Sequence, residues 1–548
     1  MVDIQKQTYL SEDGTEIGQT QIAWIPEVLE AIINQEESDN ATAYLIKRLP
    51  ENLQTEFIND ITLTYSQFKR YQDHPPTPFN QSPNLSDEYI RNHLKRYQND
   101  FEGYLTYLQA NQNNLTQFFF RWFTARLPLS QVHTYIVGGS GSGKSELMKN
   151  MIYDRLKRRK SAVIVLDPKG DLAKQVASWQ DNAIDPDRLV YFDPFLLPNH
   201  TPVLNPFDIR DKNPKTIQTA SFEMRETFDM ILRDIDGGFT PKMKNILGHT
   251  LSVVMRKEGG SLSDLKRFFN EGTNQDLIKL GQTAQDEQDR YFFQYEFADL
   301  NPETLAGLSS RLGLLLQNKT FRDITTGKST IDLAQAIRDK KLIVFNLSKG
   351  AVTRDYSKFF GKIVVSMILI QAMQNANAIE KEHQRPKIDL FIDEFQNYIT
   401  PAIGEIVAEA RAYGVRLTVA TQLVGQDMSS SLEKLILTNT DTKIIGWSSI
   451  ENRAIMGKQF GMKPEDLETK KRTFWARIAN GSPFKTKTTS RLAGQNNAMT
   501  AAEWRQVLNH QKQYYKEFEK PQQQTEAPPP DIDQKQSFDK KYKPKFDL

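Results

Sequence analysis

The stretch Gly138-Gly139-Ser140-Gly141-Ser142-Gly143-Lys144-Ser145 decides the fold of this chain. It follows the apolar run Thr134-Tyr135-Ile136-Val137 and precedes the helical pattern Glu146-Leu147-Met148-Lys149. Glycines in such a loop let backbone N–H groups converge on phosphates at the positive end of a helix. The order strand, loop, helix therefore predicts a nucleotide-binding P-loop. We expect Lys144 to reach the β- and γ-phosphates and the Ser145 hydroxyl to bind Mg²⁺.

Two carboxylates follow a second apolar run, Ile388-Asp389-Leu390-Phe391-Ile392-Asp393-Glu394. We expect Asp393 to hold the Mg²⁺ ion with Ser145, and Glu394 to polarise the water that attacks the γ-phosphate. By themselves, two acids after a strand are equally typical of a polar turn or a helix N-cap. Together with the P-loop they favour ATP hydrolysis, with ATP and Mg²⁺ as cofactors.

A third predicted strand is also followed by a polar residue. It is the run Val415-Arg416-Leu417-Thr418-Val419-Ala420-Thr421, which precedes Gln422. Gln422 lies just past this run, where a side-chain amide can sense the γ-phosphate or the water. Arg411 precedes the run and is free to act on the nucleotide of a neighbouring subunit, because a guanidinium spreads charge over phosphoryl oxygens. A plain surface arginine is an equally good interpretation of Arg411. Arg416 is a rival, but its place inside a strand makes it less mobile.

Short apolar runs alternate with helical patterns from residue 132 onward, which is the pattern of a mostly parallel α/β sheet. The runs are continuously apolar, as expected for strands that helices cover on both faces. The candidate strands are 132–137, 161–167, 188–193, 341–347, 387–393, 415–421 and 441–448.

These patterns divide the chain into five parts. Residues 1–125 are predicted to be a mostly helical N-terminal region, and 126–211 the first part of the α/β core. Strand signals vanish in 212–335, which predicts an all-helical insertion. The second part of the core follows in 336–515 and includes a basic hairpin. The proline- and glutamine-rich segment 516–548 is predicted to be a disordered tail.

The composition is that of a globular protein, with 39% hydrophobic and 25% charged residues and a net charge of +2. The absence of cysteine excludes disulfides, thiolate metal sites and cysteine nucleophiles. The apolar run from Ile363 to Met373 is shorter than the roughly 20 residues that span a bilayer, and we predict that it is a buried core helix. The first residues lack the features of a signal peptide. We therefore expect a cytoplasmic protein without its own membrane span, which partners could bring to the inner membrane.

Residues 469–502 form a basic segment without any acidic residue. Three aromatic residues, Phe474, Trp475 and Phe484, interleave with the basic side chains of Lys470, Lys471, Arg472, Arg477, Lys485, Lys487 and Arg491. Within this segment, Asn480-Gly481-Ser482-Pro483 predicts a hairpin turn. Basic and aromatic residues together suit a nucleic-acid backbone and its bases. An edge hairpin with a solvated basic face is an equally good interpretation.

These motifs together resemble the HerA/FtsK superfamily of ring-forming, DNA-pumping ATPases, and within it the TraG/TraD-like coupling proteins of conjugation and type IV secretion. The resemblance covers residues 130–490. It is carried by the P-loop, Asp167-Pro168-Lys169-Gly170, Phe391-Ile392-Asp393-Glu394-Phe395-Gln396-Asn397, and Arg411-Ala412-Tyr413-Gly414 leading to Ala420-Thr421-Gln422.

The resemblance implies a RecA-like P-loop NTPase core that works as a hexameric ring, with ATP between subunits and Arg411 acting in trans. DNA, single-stranded or alternatively double-stranded, would pass through the centre, and a relaxase or secretion-channel proteins would be further partners. The leading hypothesis is an ATP-driven DNA motor of conjugative or type IV secretion transfer. The alternatives are a cytoplasmic HerA-like helicase, a secretion ATPase for protein or pilus cargo, and an ATP-gated scaffold that recruits a transfer partner.

Overall fold

The computed structural model describes residues 133–348, 354–379, 384–478, 481, 483–488 and 498–517, together with two short strands near the N-terminus. Apart from those two strands, the predicted helical region 1–125 lies outside the described residues. The predicted tail 516–548 also lies outside them from residue 518 onward.

The described strands, numbered along the chain, are β1 (Thr8–Leu10), β2 (Glu16–Gly18), β3 (Thr134–Val137), β4 (Ala162–Asp167), β5 (Leu189–Phe192), β6 (His200–Thr201), β7 (Leu342–Asn346), β8 (Ile388–Ile392), β9 (Val415–Thr421), β10 (Thr442–Ile445), β11 (Thr473–Ile478), β12 (Phe484–Lys487) and β13 (Lys516–Glu517). Nine of them form one sheet in the order β12-β11-β10-β3-β9-β8-β4-β7-β5. All neighbours from β10 to β5 are parallel, whereas β11 and β12 form an antiparallel hairpin at one edge.

The described α-helices are α1 (Lys144–Arg158), α2 (Asp171–Ala177), α3 (Gln180–Ile184), α4 (Pro214–Asp236), α5 (Pro241–Arg256), α6 (Leu262–Arg267), α7 (Gln275–Gln282), α8 (Glu287–Tyr291), α9 (Pro302–Leu315), α10 (Lys319–Thr325), α11 (Leu333–Arg338), α12 (Arg354–Ala378), α13 (Pro401–Tyr413), α14 (Ser430–Asn439), α15 (Ile450–Phe460) and α16 (Ala501–Gln511). Between β6 and β7 the regular structure is helical, from α4 to α11.

Alternate residues of the central strands enter two different hydrophobic cores. In β4, Ile164 and Leu166 belong to the core that contains α4, α12 and α13, whereas Val163 and Val165 belong to the core that contains α1 and α2. Both faces are therefore covered, which is why these strands read as continuous apolar runs. All seven predicted strands are present, and the predicted fold class, a mostly parallel α/β sheet, is confirmed.

Helix α12 is long and apolar enough to be a candidate membrane span by length and composition, with a mean hydropathy of 1.3 over its best window. Its window is 72% buried inside the protein. Ile363, Val364 and Ile368 are fully or almost fully buried in the core. This burial agrees with the interpretation of Ile363–Met373 as part of a core helix.

The free edge of β5 is covered by side chains from the end of the described chain. The Gln511 side chain accepts a hydrogen bond from the Tyr191 backbone N–H at 2.8 Å and donates one to the Leu189 carbonyl at 2.8 Å. The Tyr515 hydroxyl donates to the Tyr191 carbonyl at 2.5 Å. These side chains pair backbone groups that the next strand would otherwise pair.

Candidate active site at the carboxyl edge of the sheet

Polar residues follow the central parallel strands, so they meet at one edge of the sheet. The P-loop follows β3, Gln422 follows β9, and Asp393 and Glu394 follow β8. On the next strand, β4 ends in Asp167. Because β3, β9, β8 and β4 are consecutive neighbours, the sheet order alone places these four groups side by side. Crevices at the carboxyl ends of parallel strands are the usual ligand sites of such folds.

The P-loop has backbone conformations that favour glycine. Gly141 and Gly143 have φ values of 76° and 102°, in the left-handed region. A β-carbon at Gly138 would lie only 2.6 Å from the Ser142 hydroxyl oxygen. Helix α1 begins at Lys144, directly after Gly143, so its free backbone N–H groups face the loop. The hydroxyl of Ser142 is buried and has no hydrogen-bond partner among the described residues.

Lys144 and Ser145 both point into the loop and toward β8. The Lys144 ammonium group donates to the carbonyl of Gly138 and to that of Gly139, the latter at 3.3 Å. Burial lowers the pKa of Lys144, while Asp393 and Glu394 act to raise it. The Ser145 hydroxyl donates to Asp393 Oδ2 at 3.0 Å. The two sequence motifs, far apart in the chain, thus meet in a direct contact.

Asp393 lies in a crowded group of buried carboxylates. Asp393 is 3% exposed, and burial, together with the charges of Asp167 and Glu394, raises its pKa to about 6. Lys144 and the hydrogen bond from Ser145 lower the pKa only in part. A cation beside Asp393 would relieve this repulsion, because an opposite charge favours the ionised carboxylate.

Glu394 is held by three side chains. Its Oε1 atom accepts a hydrogen bond from Gln422 at 2.6 Å and forms an ion pair with Lys169, and its Oε2 atom accepts from Gln396 at 2.9 Å. Burial alone raises the pKa of Glu394, but these three partners outweigh it and hold the pKa below its usual value. Its backbone has a φ of 47°, which is strained for a residue other than glycine. The surrounding contacts therefore fix an ionised carboxylate in one orientation.

The predicted site residue Arg411 lies away from this cluster. It belongs to the last turn of α13, before β9 begins, and so lies at the amino edge of the sheet, opposite to Gln422. Its side chain is outside the described part of the structure. Its rival Arg416 is buried in the sheet and paired with Asp389 at 2.8 Å. This pairing makes Arg416 a core residue rather than a mobile group.

The basic segment is divided between structural and exposed side chains. Arg477 donates to the carbonyls of Gln459 and Gly481, whereas Lys485 is exposed and lies over the Trp475 ring at 4.8 Å. Lys470, Lys471, Arg472 and Lys487 are exposed, and Arg491 lies outside the described residues. The Arg472 backbone N–H donates to the Ser142 carbonyl at 2.8 Å, so the start of the hairpin contacts the P-loop directly. The strands β11 and β12 pair as an antiparallel hairpin, and Asn480 and Ser482 of the predicted turn lie outside the described residues.

Lys169 and Gln396 both hold Glu394 in place, and the sequence analysis did not predict either role. The Asp167-Pro168-Lys169-Gly170 motif indicates proximity to the nucleotide edge, but it does not predict the ion pair from Lys169 to Glu394. Gln396 belongs to a quoted motif, and its contact with Glu394 depends on the turn after β8. Polar residues next to a motif at the carboxyl end of a strand are the signal that could have identified both.

A sequence model of the family described as type IV secretory system conjugative DNA transfer matches residues 106–434, which is more than half of the chain. A search of curated proteins found no match. Similar solved structures include the bacterial conjugative coupling protein TrwB in an unbound form (14% identity, TM-score 0.47, covering 67% of this chain and 87% of that chain). TrwB with the non-hydrolysable ATP analogue ADPNP has 15% identity and a TM-score of 0.48, covering 70% and 94%. VirB4 of Thermoanaerobacter pseudethanolicus has 16% identity and a TM-score of 0.42, covering 65% and 89%.

Proposed function

Because the chain belongs to the type IV secretory system conjugative DNA transfer family, we propose that it hydrolyses ATP and couples that hydrolysis to the movement of DNA. The family membership agrees with the resemblance to conjugative coupling proteins that the motifs carry. Its function is therefore DNA transfer in conjugation or type IV secretion.

One observation carries the ATPase proposal: the contact between Ser145 and Asp393 joins the P-loop to the acidic end of β8. P-loop enzymes hold Mg²⁺ with a hydroxyl from the P-loop and a carboxylate at the end of a nearby strand. Ser145 and Asp393 are residues of these two kinds. The repulsion among Asp167, Asp393 and Glu394 gives an independent reason for a cation here. Ser145 and Asp393 would hold the ion, and Mg²⁺ when bound supplies charge that neutralises phosphate oxygens.

The remaining residues divide the chemistry between them. The backbone N–H groups of the P-loop and Lys144 would bind the phosphates of ATP. Glu394, ionised and fixed by its partners, would orient the attacking water and accept its proton. Gln422 touches Glu394 directly and would report the state of the γ-phosphate to β9. Hydrolysis would be an in-line attack of water on the γ-phosphate, stabilised by positioning and charge.

We further propose that the protein works as a ring, a hexamer by the family resemblance, in which Arg411 of one subunit completes the site of the next. The position of Arg411 at the end of α13, just before β9, supports a role in trans, because its own P-loop lies at the opposite edge of the sheet. DNA in the centre of the ring, a relaxase or channel protein as partner, and a cytoplasmic location with recruitment to the inner membrane belong to the same proposal.

The test is ATP hydrolysis by the purified full-length chain with and without single- and double-stranded DNA. We expect DNA to stimulate turnover, and Lys144→Ala to abolish ATP binding. Glu394→Gln should retain ATP binding and reduce the hydrolysis rate by about 10²-fold or more, since it removes the water-activating group. Unchanged hydrolysis in Glu394→Gln would show that this residue has another role. Turnover that is indifferent to DNA would favour protein or pilus cargo instead.

A further inference from the structure

A large exposed aromatic side chain lies beside the P-loop. Trp447 comes two residues after β10, the strand next to β3 on the side away from Gln422. Its side chain is 48% exposed, which is unusual for tryptophan in a well-packed protein. The mechanism described above does not use it.

The position of the indole ring is fixed relative to the P-loop. The Gly139 backbone N–H donates to the Trp447 carbonyl at 2.7 Å. A β-carbon at Gly139 would lie 3.3 Å from ring atom Cζ3, so the ring packs against the loop backbone itself. A flat ligand stacked on the exposed part of this ring would therefore lie beside the P-loop.

Positive charge flanks the same loop. The turn Lys471–Arg472 precedes β11, and the Arg472 N–H donates to the Ser142 carbonyl at 2.8 Å. A β-carbon at Gly143 would lie 3.1 Å from Arg472 Cγ, and one at Gly141 would lie 4.0 Å from Lys471 Cε. Both side chains are exposed. Their charges thus lie beside the loop that would bind the phosphates.

We propose that Trp447 stacks the base of the nucleotide and that the Lys471–Arg472 turn binds its α-phosphate and sugar. This subsite rests on the proposed ATPase function and extends it from the reacting phosphates to the rest of the nucleotide. Aromatic faces bind bases by stacking, and an arginine binds phosphate through a planar fork of donors. The ligand class is a nucleoside triphosphate.

The same residue types could contact DNA, but the contacts with the loop favour the nucleotide. Trp447, Lys471 and Arg472 each lie against a glycine of the P-loop, and two of them bond its backbone. These three residues therefore border the loop that would bind the phosphates. The exposed Lys470 and Lys487 make no such contact with the loop among the described residues, so they fit a DNA surface better.

The test compares ATP with inorganic tripolyphosphate, which has the phosphates but no base. We expect Trp447→Ala to weaken ATP binding roughly 5- to 150-fold, the range that corresponds to one lost base stack. Tripolyphosphate affinity should stay unchanged. Trp447→Phe should keep most of the ATP affinity, and Arg472→Gln should weaken both ligands. Leu423→Ala is the matched control, because Leu423 is another exposed apolar residue at this edge, 44% exposed.

Three outcomes would overturn the subsite. One is equal loss of ATP and tripolyphosphate in Trp447→Ala, which would mean damage to the loop. Another is unchanged ATP affinity in Trp447→Ala and Arg472→Gln. The last is loss of DNA binding in Trp447→Ala with ATP binding intact, which would assign the ring to DNA. Failure of the wild-type chain to bind ATP at all, with Lys144→Ala indistinguishable from it, would instead refute the proposed ATPase function.

Discussion

The ion pair between Lys169 and Glu394 joins the end of β4 to the proposed catalytic base. Lys169 is half exposed, and its backbone N–H donates to Asp167 Oδ1 at 2.9 Å, which positions it at the end of β4. Its ammonium group is a main reason why the pKa of Glu394 lies below its usual value. Lys169 therefore positions Glu394 and keeps it ionised.

We predict that Lys169→Ala moves the acidic limb of the pH–rate profile to higher pH. Glu394 acts as a base only when ionised, and its pKa rises when the neighbouring positive charge is removed. Turnover should therefore fall first at low pH, and ATP affinity should change little. Steady-state hydrolysis measured across the pH range checks this expectation.

Lys174→Ala is the control for that experiment, because Lys174 is an exposed lysine on the following helix, α2. Lys169→Arg should restore the wild-type profile, since it keeps the charge. An acidic limb that stays in place in Lys169→Ala would contradict the positioning role, even if the maximal rate fell.

At the scale of elements, α12 supports the turn that follows β8. Gly361 of α12 lies against Tyr398, just beyond the short turn Phe395–Asn397. A β-carbon at Gly361 would lie 2.2 Å from Tyr398 Cε1, so there is no room for a side chain at position 361. Helix α12, which contains none of the site residues, therefore packs against the residue that ends the turn after Glu394.

We predict that Gly361→Ala destabilises the protein by about 1–3 kcal/mol, the usual cost of overpacking. Gly404→Ala in α13 is the matched control, because the nearest atom to its new β-carbon would be 3.7 Å away. It should be neutral or stabilise the helix by up to about 1 kcal/mol. Thermal unfolding of both variants tests the pair, and equal melting temperatures would refute the close contact.

A second pair of variants tests the basic hairpin. Arg477→Ala leaves the Gln459 and Gly481 carbonyls without this donor, so it should destabilise the protein by about 1–3 kcal/mol. Lys487 is exposed on the edge strand β12, and Lys487→Ala should change stability by less than about 0.5 kcal/mol. Denaturant unfolding separates them. A neutral Arg477→Ala would return Arg477 to the set of candidate DNA contacts.

The strands were predictable from the sequence because each is marked by a short apolar run of neighbouring residues. The seven central strands are short apolar runs followed by turn residues, because both of their faces are covered. The contact of Lys169 with Glu394 was not predictable, since it joins residues 225 positions apart through the order of β4 and β8. The contact of Trp447 with Gly139 was equally unpredictable from the sequence, because it follows from the parallel pairing of β10 with β3. Patterns predict strands, whereas strand order decides which side chains meet.

At the scale of the whole molecule, the two edges of the sheet have different roles in the proposed ring. The P-loop, Asp393 and Glu394 lie at the carboxyl edge, and Arg411 lies at the amino edge. A subunit that lacks Lys144 could therefore still donate Arg411 to a neighbour. In the proposed ring each contact would be heterologous, because two different edges meet, and such contacts form a ring when the rotation between subunits closes.

We predict that Lys144→Ala and Arg411→Ala are each inactive alone and regain activity when mixed. With random mixing of equal amounts, about a quarter of the sites combine an intact P-loop with an intact arginine, so activity should reach roughly a quarter of the wild-type rate. Hydrolysis measured over a range of mixing ratios tests this. Mixtures no more active than their components would contradict the role of Arg411 in trans.

The covered edge of β5 has a consequence for how the chain is made. Tyr191 and Gln511, which closes that edge, are separated by 320 residues. A ribosome that adds 5–20 residues per second needs roughly 15–60 s to produce the second after the first. During that interval the nascent chain presents an unpaired strand to other nascent chains and to chaperones. Conditions that slow translation between these two points should therefore lower the yield of soluble protein.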